Sequence, residues 1–205
     1  MINNIKWLLL LAVIPLIIPT SWALDMTGNM VKNPVPSDLL GGIPGWVKGS
    51  WGTNDPHHFA NKTSLAASGV SLGIRLENYI NGTGSWTFKP VKVKPGQKYE
   101  YLVTYNSTFR ISAVETWSRN GTVIDFSDDK NALHWPAAST WTMRGNLVVP
   151  TDYNYFAFEI VLPDTDVRGK LPSDMSVNIM NVVLKPVDNS VDWPPDLPRT
   201  NSTEV

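Results

Sequence analysis

Trp117 and Trp135 are the side chains in this sequence best suited to recognising a sugar. A pyranose ring presents flat C–H faces that pack on an indole, and rim hydroxyls that need hydrogen-bonding neighbours. Trp117 ends an alternating run just before Asn120-Gly121, and Trp135 sits in His134-Trp135-Pro136, which reads as a loop. Both are therefore expected at the surface. Tyr105, Arg110 and Glu115 lie on the same stretch and could supply polar contacts. These five are the candidate carbohydrate-binding residues. Trp46, Trp86 and Trp141 each fall inside a patterned run and are expected in the core.

Other chemistry finds less support. Asp55-Pro56-His57-His58 invites a metal reading, but adjacent side chains on a strand point to opposite sides and cannot hold one ion together. With no cysteine and no histidines at helical spacing, zinc is not expected, and the stretch reads as a surface loop. Glu77, Glu115 and Glu159 would make a glycosidase only if two of them stood about 5–10 Å apart across a cleft. Asp125, Asp128 and Asp129 read as a solvated acidic turn. There is no Gly-x-Ser-x-Gly elbow and no phosphate-cradling glycine loop, so no catalytic residue is assigned.

Asn-x-Ser/Thr sequons occur at Asn61, Asn81, Asn106, Asn120 and Asn201. The acceptor tripeptide needs exposed backbone, so the first four are expected to mark the surface and to carry glycan where a transferase is present.

The elements that must position these residues are strands. Val70, Leu72, Ile74 and Leu76 alternate with Ser71, Gly73, Arg75 and Glu77. Phe156, Phe158, Ile160 and Leu162 alternate in the same way with Tyr155, Ala157, Glu159 and Val161. A period of two places one set on a buried face and the other outward. Further strands are expected at 46–51, 85–93, 98–106, 110–118, 122–126, 141–149 and 176–187. Pro95-Gly96, Asn81-Gly82, Asn120-Gly121 and Pro163-Asp164 separate them as turns. Many short strands at this spacing predict an all-β sandwich of two antiparallel sheets.

The N-terminus reads as a secretory leader, residues 1–23. Lys6 precedes an apolar run of about 12 residues, too short to span a bilayer, and Ser21 and Ala23 offer small side chains to a peptidase. The folded domain is expected over 24–187, followed by a flexible tail, 188–205, containing Pro194, Pro195 and Pro198. No membrane-spanning stretch follows the leader. Of the 17 Lys and Arg residues the leader removes Lys6, leaving 16 against 18 acidic residues, which offers nothing to a nucleic acid backbone. An exported chain without cysteine must be held by its core alone.

Several segments in order resemble the carbohydrate-binding-module-like jelly rolls of the galactose-binding type, including those beside polysaccharide deacetylase domains. They are Met30-Val31-Lys32-Asn33-Pro34, Ile43-Pro44-Gly45-Trp46, Gly69 to Leu76, Trp86-Thr87-Phe88 running into Val93-Lys94-Pro95-Gly96-Gln97-Lys98-Tyr99, and the last strand Val177 to Leu184. The resemblance implies a jelly roll that binds a polysaccharide or glycan without catalysis, secreted or at the cell surface. Some members hold structural calcium near paired Asp residues of the last strand. Here Asn178-Ile179-Met180-Asn181 stands there, and amides are poorer calcium ligands than carboxylates. No cofactor is therefore assigned. A second reading is a structural cell-surface or filament subunit, in which the irregular arm 24–38 adds a strand to a neighbour's open sheet edge.

Overall fold

The computed structural model describes residues 26–34, 43–122, 125–127, 132–166 and 169–187. The expected leader, the tail with Trp193 and Asn201, and the pair Asp128 and Asp129 lie outside the described residues. Twelve strands follow one another without a helix among the described residues. They are β1 (Trp46–Trp51), β2 (Asp55–Lys62), β3 (Val70–Glu77), β4 (Thr83–Phe88), β5 (Val91–Lys92) and β6 (Lys98–Ser107). Then come β7 (Ile111–Ser118), β8 (Phe126–Ser127), β9 (Leu133–Trp135), β10 (Ala138–Val148), β11 (Tyr155–Leu162) and β12 (Met175–Pro186).

Two antiparallel sheets face each other. One runs β1-β4-β11-β7-β8, with β5 also on β11 and β9 also on β7; the other runs β10-β6-β12-β3-β2. The expected all-β jelly-roll sandwich is the observed architecture. The alternating runs fold as their period requires: Leu72, Ile74, Leu76, Phe156, Phe158, Ile160 and Leu162 all meet in one buried cluster between the sheets. Each such side chain contributes about 1.5–3 kcal/mol by leaving water. Tight turns need backbone that only glycine adopts cheaply, and Gly82 and Gly96 take φ of +94° and +74°.

Three local expectations are corrected. Asp55-Pro56-His57-His58 is not a loop but the start of β2, at the sheet edge, where proline's missing N–H costs no ladder bond. His134-Trp135 is likewise a strand, β9, with Trp135 paired to Ile111 of β7. Trp141 is not in the core. It lies on the edge strand β10 just past a register shift and is 52% exposed.

The last strand, β12, carries a bulge at the point where its partner changes. Its first half, 175–179, pairs with β3; a register shift between Ile179 and Asn181 ends that pairing. Side chains of the N-terminal segment then take over the vacated edge. The Asn29 carboxamide accepts from the Leu184 N–H at 2.9 Å and donates to the Val182 carbonyl at 2.9 Å. Asn33 accepts from the Val182 N–H at 2.9 Å and donates to the same carbonyl at 2.7 Å. Residues 29–33 of the expected arm are thus used on their own domain.

Candidate functional site

The outer face of the five-stranded sheet is built by register. Phe59 of β2 pairs with Gly73 of β3, Gly73 with Asn178 of β12, and Asn178 with Asn106 of β6, so these four form one row across the sheet. His57, Arg75 and Ser176 form the next row, and Asp55 pairs with Glu77 beyond it. The side chains between them, such as His58, Ile74 and Val177, point inward, as alternation demands.

Gly73 leaves room on this face for an aromatic ring. A Cβ there would lie 2.0 Å from the Phe59 ring, so the missing side chain lets the phenyl group rest on the β3 backbone. Phe59, His57, Asn61, Arg75 and Glu77 line an open groove of about 370 Å³. Its polar walls are preset. Arg75 Nε meets Glu77 Oε1 at 2.9 Å, and His57 Nε2 lies 3.6 Å from both the Asp55 and Glu77 carboxylates. Asn178 donates to Asn106 Oδ1 at 2.9 Å. An aromatic platform bordered by guanidinium, carboxylate, imidazole and amide groups offers both donors and acceptors, which is what a ring of hydroxyls requires.

The five sequence candidates do not form an open site. Trp117 is 2% exposed, its ring 4.7 Å from that of Phe156, because β7 alternates Ile111, Ala113, Glu115 and Trp117 toward the opposite sheet. Trp135 is 1% exposed and stacked on Tyr105 with centroids 5.6 Å apart. Tyr105 is fully buried; its hydroxyl donates to the Pro136 carbonyl at 2.8 Å, and burial raises its pKa to about 12. Neither tryptophan face is free to receive a ligand. Arg110 spends its guanidinium on the buried Asp164 at 2.9 Å, and Asp164 also meets His134 Nδ1 at 2.6 Å. Glu115 is partly buried on the inward side, opposite Phe158.

The carboxylates of the glycosidase idea are also kept apart. Glu77 faces outward from one sheet, Glu159 outward from the other, where it accepts from Ser85 Oγ at 2.7 Å, and Glu115 faces inward. The two histidines diverge as expected. His57 lies in the groove, while His58 turns inward, bonds the Ser85 carbonyl at 2.9 Å and meets the Trp86 ring edge-on. Desolvation holds the His58 pKa below its usual value. Of the amides where the resemblance implies calcium, Asn178 donates an N–H to Asn106 Oδ1 at 2.9 Å, and Asn181 Oδ1 accepts from the Ala67 N–H at 2.7 Å. Among the described residues no group of three or more His, Cys, Asp or Glu side chains is arranged to hold a metal ion. Among the described residues no helix is long and apolar enough to cross a membrane.

Phe59, and Asn61 as a groove residue, were missed in the sequence because β2 was; Arg75 was placed outward on its strand but had no neighbouring strand to make it part of a site. The available signal was the alternation of His57, Phe59 and Asn61 with Pro56, His58 and Ala60.

No family model matches the chain, and no curated protein matches it in sequence. Solved structures do match in fold. The enzymatically active domain of bacteriophage CBA120 tailspike protein 4 aligns with a TM-score of 0.60 at 13% identity, over 78% of this chain and 22% of that one. A structure from work on promiscuous carbohydrate-binding modules of the β-sandwich superfamily aligns at 0.51 and 9% identity, over 79% of this chain and 63% of that one. TmCBM61, solved with β-1,4-galactotriose, aligns at 0.49 and 12% identity, over 78% and 99%. The chain thus spans under two thirds of the first two. The shared property is the β-sandwich jelly roll, a fold found in carbohydrate-binding modules.

Proposed function

We propose that this chain is an exported, non-catalytic glycan-binding domain acting at the cell surface or in a secreted matrix. The observation that carries the reading is the groove on the outer face of the five-stranded sheet, where Phe59 rests on Gly73 among Arg75, Glu77, His57 and Asn61. The bound partner is a polysaccharide or oligosaccharide. Its C–H face packs on Phe59 and its hydroxyls exchange hydrogen bonds with Arg75 and Glu77. The Arg75–Glu77 ion pair leaves the groove lining close to neutral, which suits an uncharged glycan better than a polyanion. The fold shared with carbohydrate-binding modules supports this, although it also hosts enzymes such as the tailspike domain. The open, shallow groove favours binding over hydrolysis.

A glycan array probed with the mature protein tests the reading. Specific signal that falls at least tenfold in Phe59→Ala, with an unchanged circular dichroism spectrum, is the expected result. No signal from correctly folded protein, or signal indifferent to Phe59, removes it.

A further inference from the structure

Two of the sequons lie on the proposed binding face rather than in turns. Asn106 occupies the same row as Phe59, Gly73 and Asn178, partly buried, with its carboxamide oxygen held by Asn178. Asn61 stands on the edge strand β2, two residues beyond Phe59 on the same face, and lines the groove. It is exposed, and among the described residues its carboxamide has no hydrogen-bond partner. The other two described sequons sit elsewhere. Asn81 and Asn120 are exposed turn residues whose oxygens accept from the backbone N–H of Thr53 at 2.6 Å and of Thr122 at 3.0 Å.

We infer that Asn61 is an N-glycan acceptor and that the glycan it carries closes the groove against external polysaccharide, an inference resting on the glycan-binding reading above. The acceptor tripeptide is Asn61-Lys62-Thr63. The donor is an oligosaccharide linked through its anomeric carbon to a polyprenyl diphosphate. Asn61 Nδ2 forms the bond to that carbon and the carbon–oxygen bond to the diphosphate breaks. The diphosphate leaves with the electron pair, and one amide proton passes to a base in the transferase. Nothing is oxidised or reduced.

Geometry then makes the attached glycan a competitor. Same-face neighbours on a strand are about 7 Å apart, so the first sugar on Asn61 stands beside the Phe59 ring. A chain tethered so close meets the groove at a roughly millimolar effective concentration, and its hydroxyls can take the Arg75 and Glu77 contacts an external glycan would use. A glycan on Asn81 or Asn120 has no such position. Modification at one sequon therefore controls the face, while the turn sequons leave it open.

The test compares the full chain from a secretory host with the same chain from a bacterium lacking the transferase. Thr63→Ala removes the tripeptide while keeping the Asn61 side chain, and Thr63→Val serves as a second variant. Thr122→Ala removes the Asn120 sequon as a control. Peptide mapping by mass spectrometry reads occupancy, and a glycan array reads binding. The secreted wild type should carry glycan at Asn61 and bind at least tenfold more weakly than bacterial protein. Thr63→Ala and Thr63→Val from the secretory host should recover the bacterial signal, and Thr122→Ala should not. An unmodified Asn61 peptide in secreted protein, or glycosylated protein that binds as strongly as bacterial protein, overturns the inference alone. Absence of any array signal from the bacterial form overturns the glycan-binding reading, and this inference with it.

Discussion

Phe59 lies directly over Gly73, in the space a side chain at that position would fill: a Cβ on Gly73 would come within 2.0 Å of the phenyl ring. The position of the groove's aromatic ring is therefore set by a residue with no side chain of its own. Gly73→Ala should displace the ring and weaken glycan binding by about 1–3 kcal/mol, close to the effect of Phe59→Ala. Calorimetric titration with the strongest array ligand measures this. Equal affinity in Gly73→Ala and wild type would detach the glycine from the site.

Trp117 and Trp135 should behave as core residues. Each alanine substitution is expected to cost about 3–5 kcal/mol in urea unfolding, since both rings are buried among aromatic neighbours. Under conditions where the variants remain folded, affinity for the array ligand should be unchanged. A variant that keeps full stability but loses binding would restore these residues to a ligand site.

His58 predicts a pH dependence of stability. Burial lowers its folded pKa below the ordinary value near 6.5, so the unfolded chain takes up a proton at a pH where the folded one does not. The folded state then binds fewer protons, and stability falls as pH drops through the unfolded value, until the folded pKa is reached. Urea unfolding at pH 7.5 and 5.5 should show the loss, and His58→Gln should flatten it. An identical slope in the variant would place the effect on other groups.

Asp164 ties two segments together through Arg110 and His134, with its own side chain fully shielded from solvent. Asp164→Ala should destabilise by about 2–3 kcal/mol, because the ion pair with Arg110 and the hydrogen bond with His134 are both lost. Arg110→Ala, whose side chain is half exposed, should cost less. A reversed order in chemical denaturation would contradict the pairing.

Local pattern was enough for part of this protein. The runs 70–77 and 155–162 alternate so regularly that their strand character and inward faces follow from the residues themselves. Strand count and turn residues likewise imply a sandwich of two sheets. The site was less legible. β2 carries a proline, two histidines and only one large apolar side chain, and it became a strand by pairing along its whole length with β3. Tryptophans were sorted by partners rather than by pattern. Trp117 and Trp135 are covered by neighbouring strands, whereas Trp51, at 67% exposure, and Trp141 lie on edge strands and are largely exposed among the described residues.

Asn178 and Asn181, three residues apart, would point in opposite directions on a regular strand. Asn178 faces outward against Asn106 in the row of Phe59, and the bulge at Met180 brings Asn181 to the same face. The sequence by itself determined which side chains within a strand share a face, since that depends on backbone pleating between near neighbours. Which of those faces is covered was decided only by tertiary pairing, because the covering strand comes from a part of the chain that local pattern does not reach.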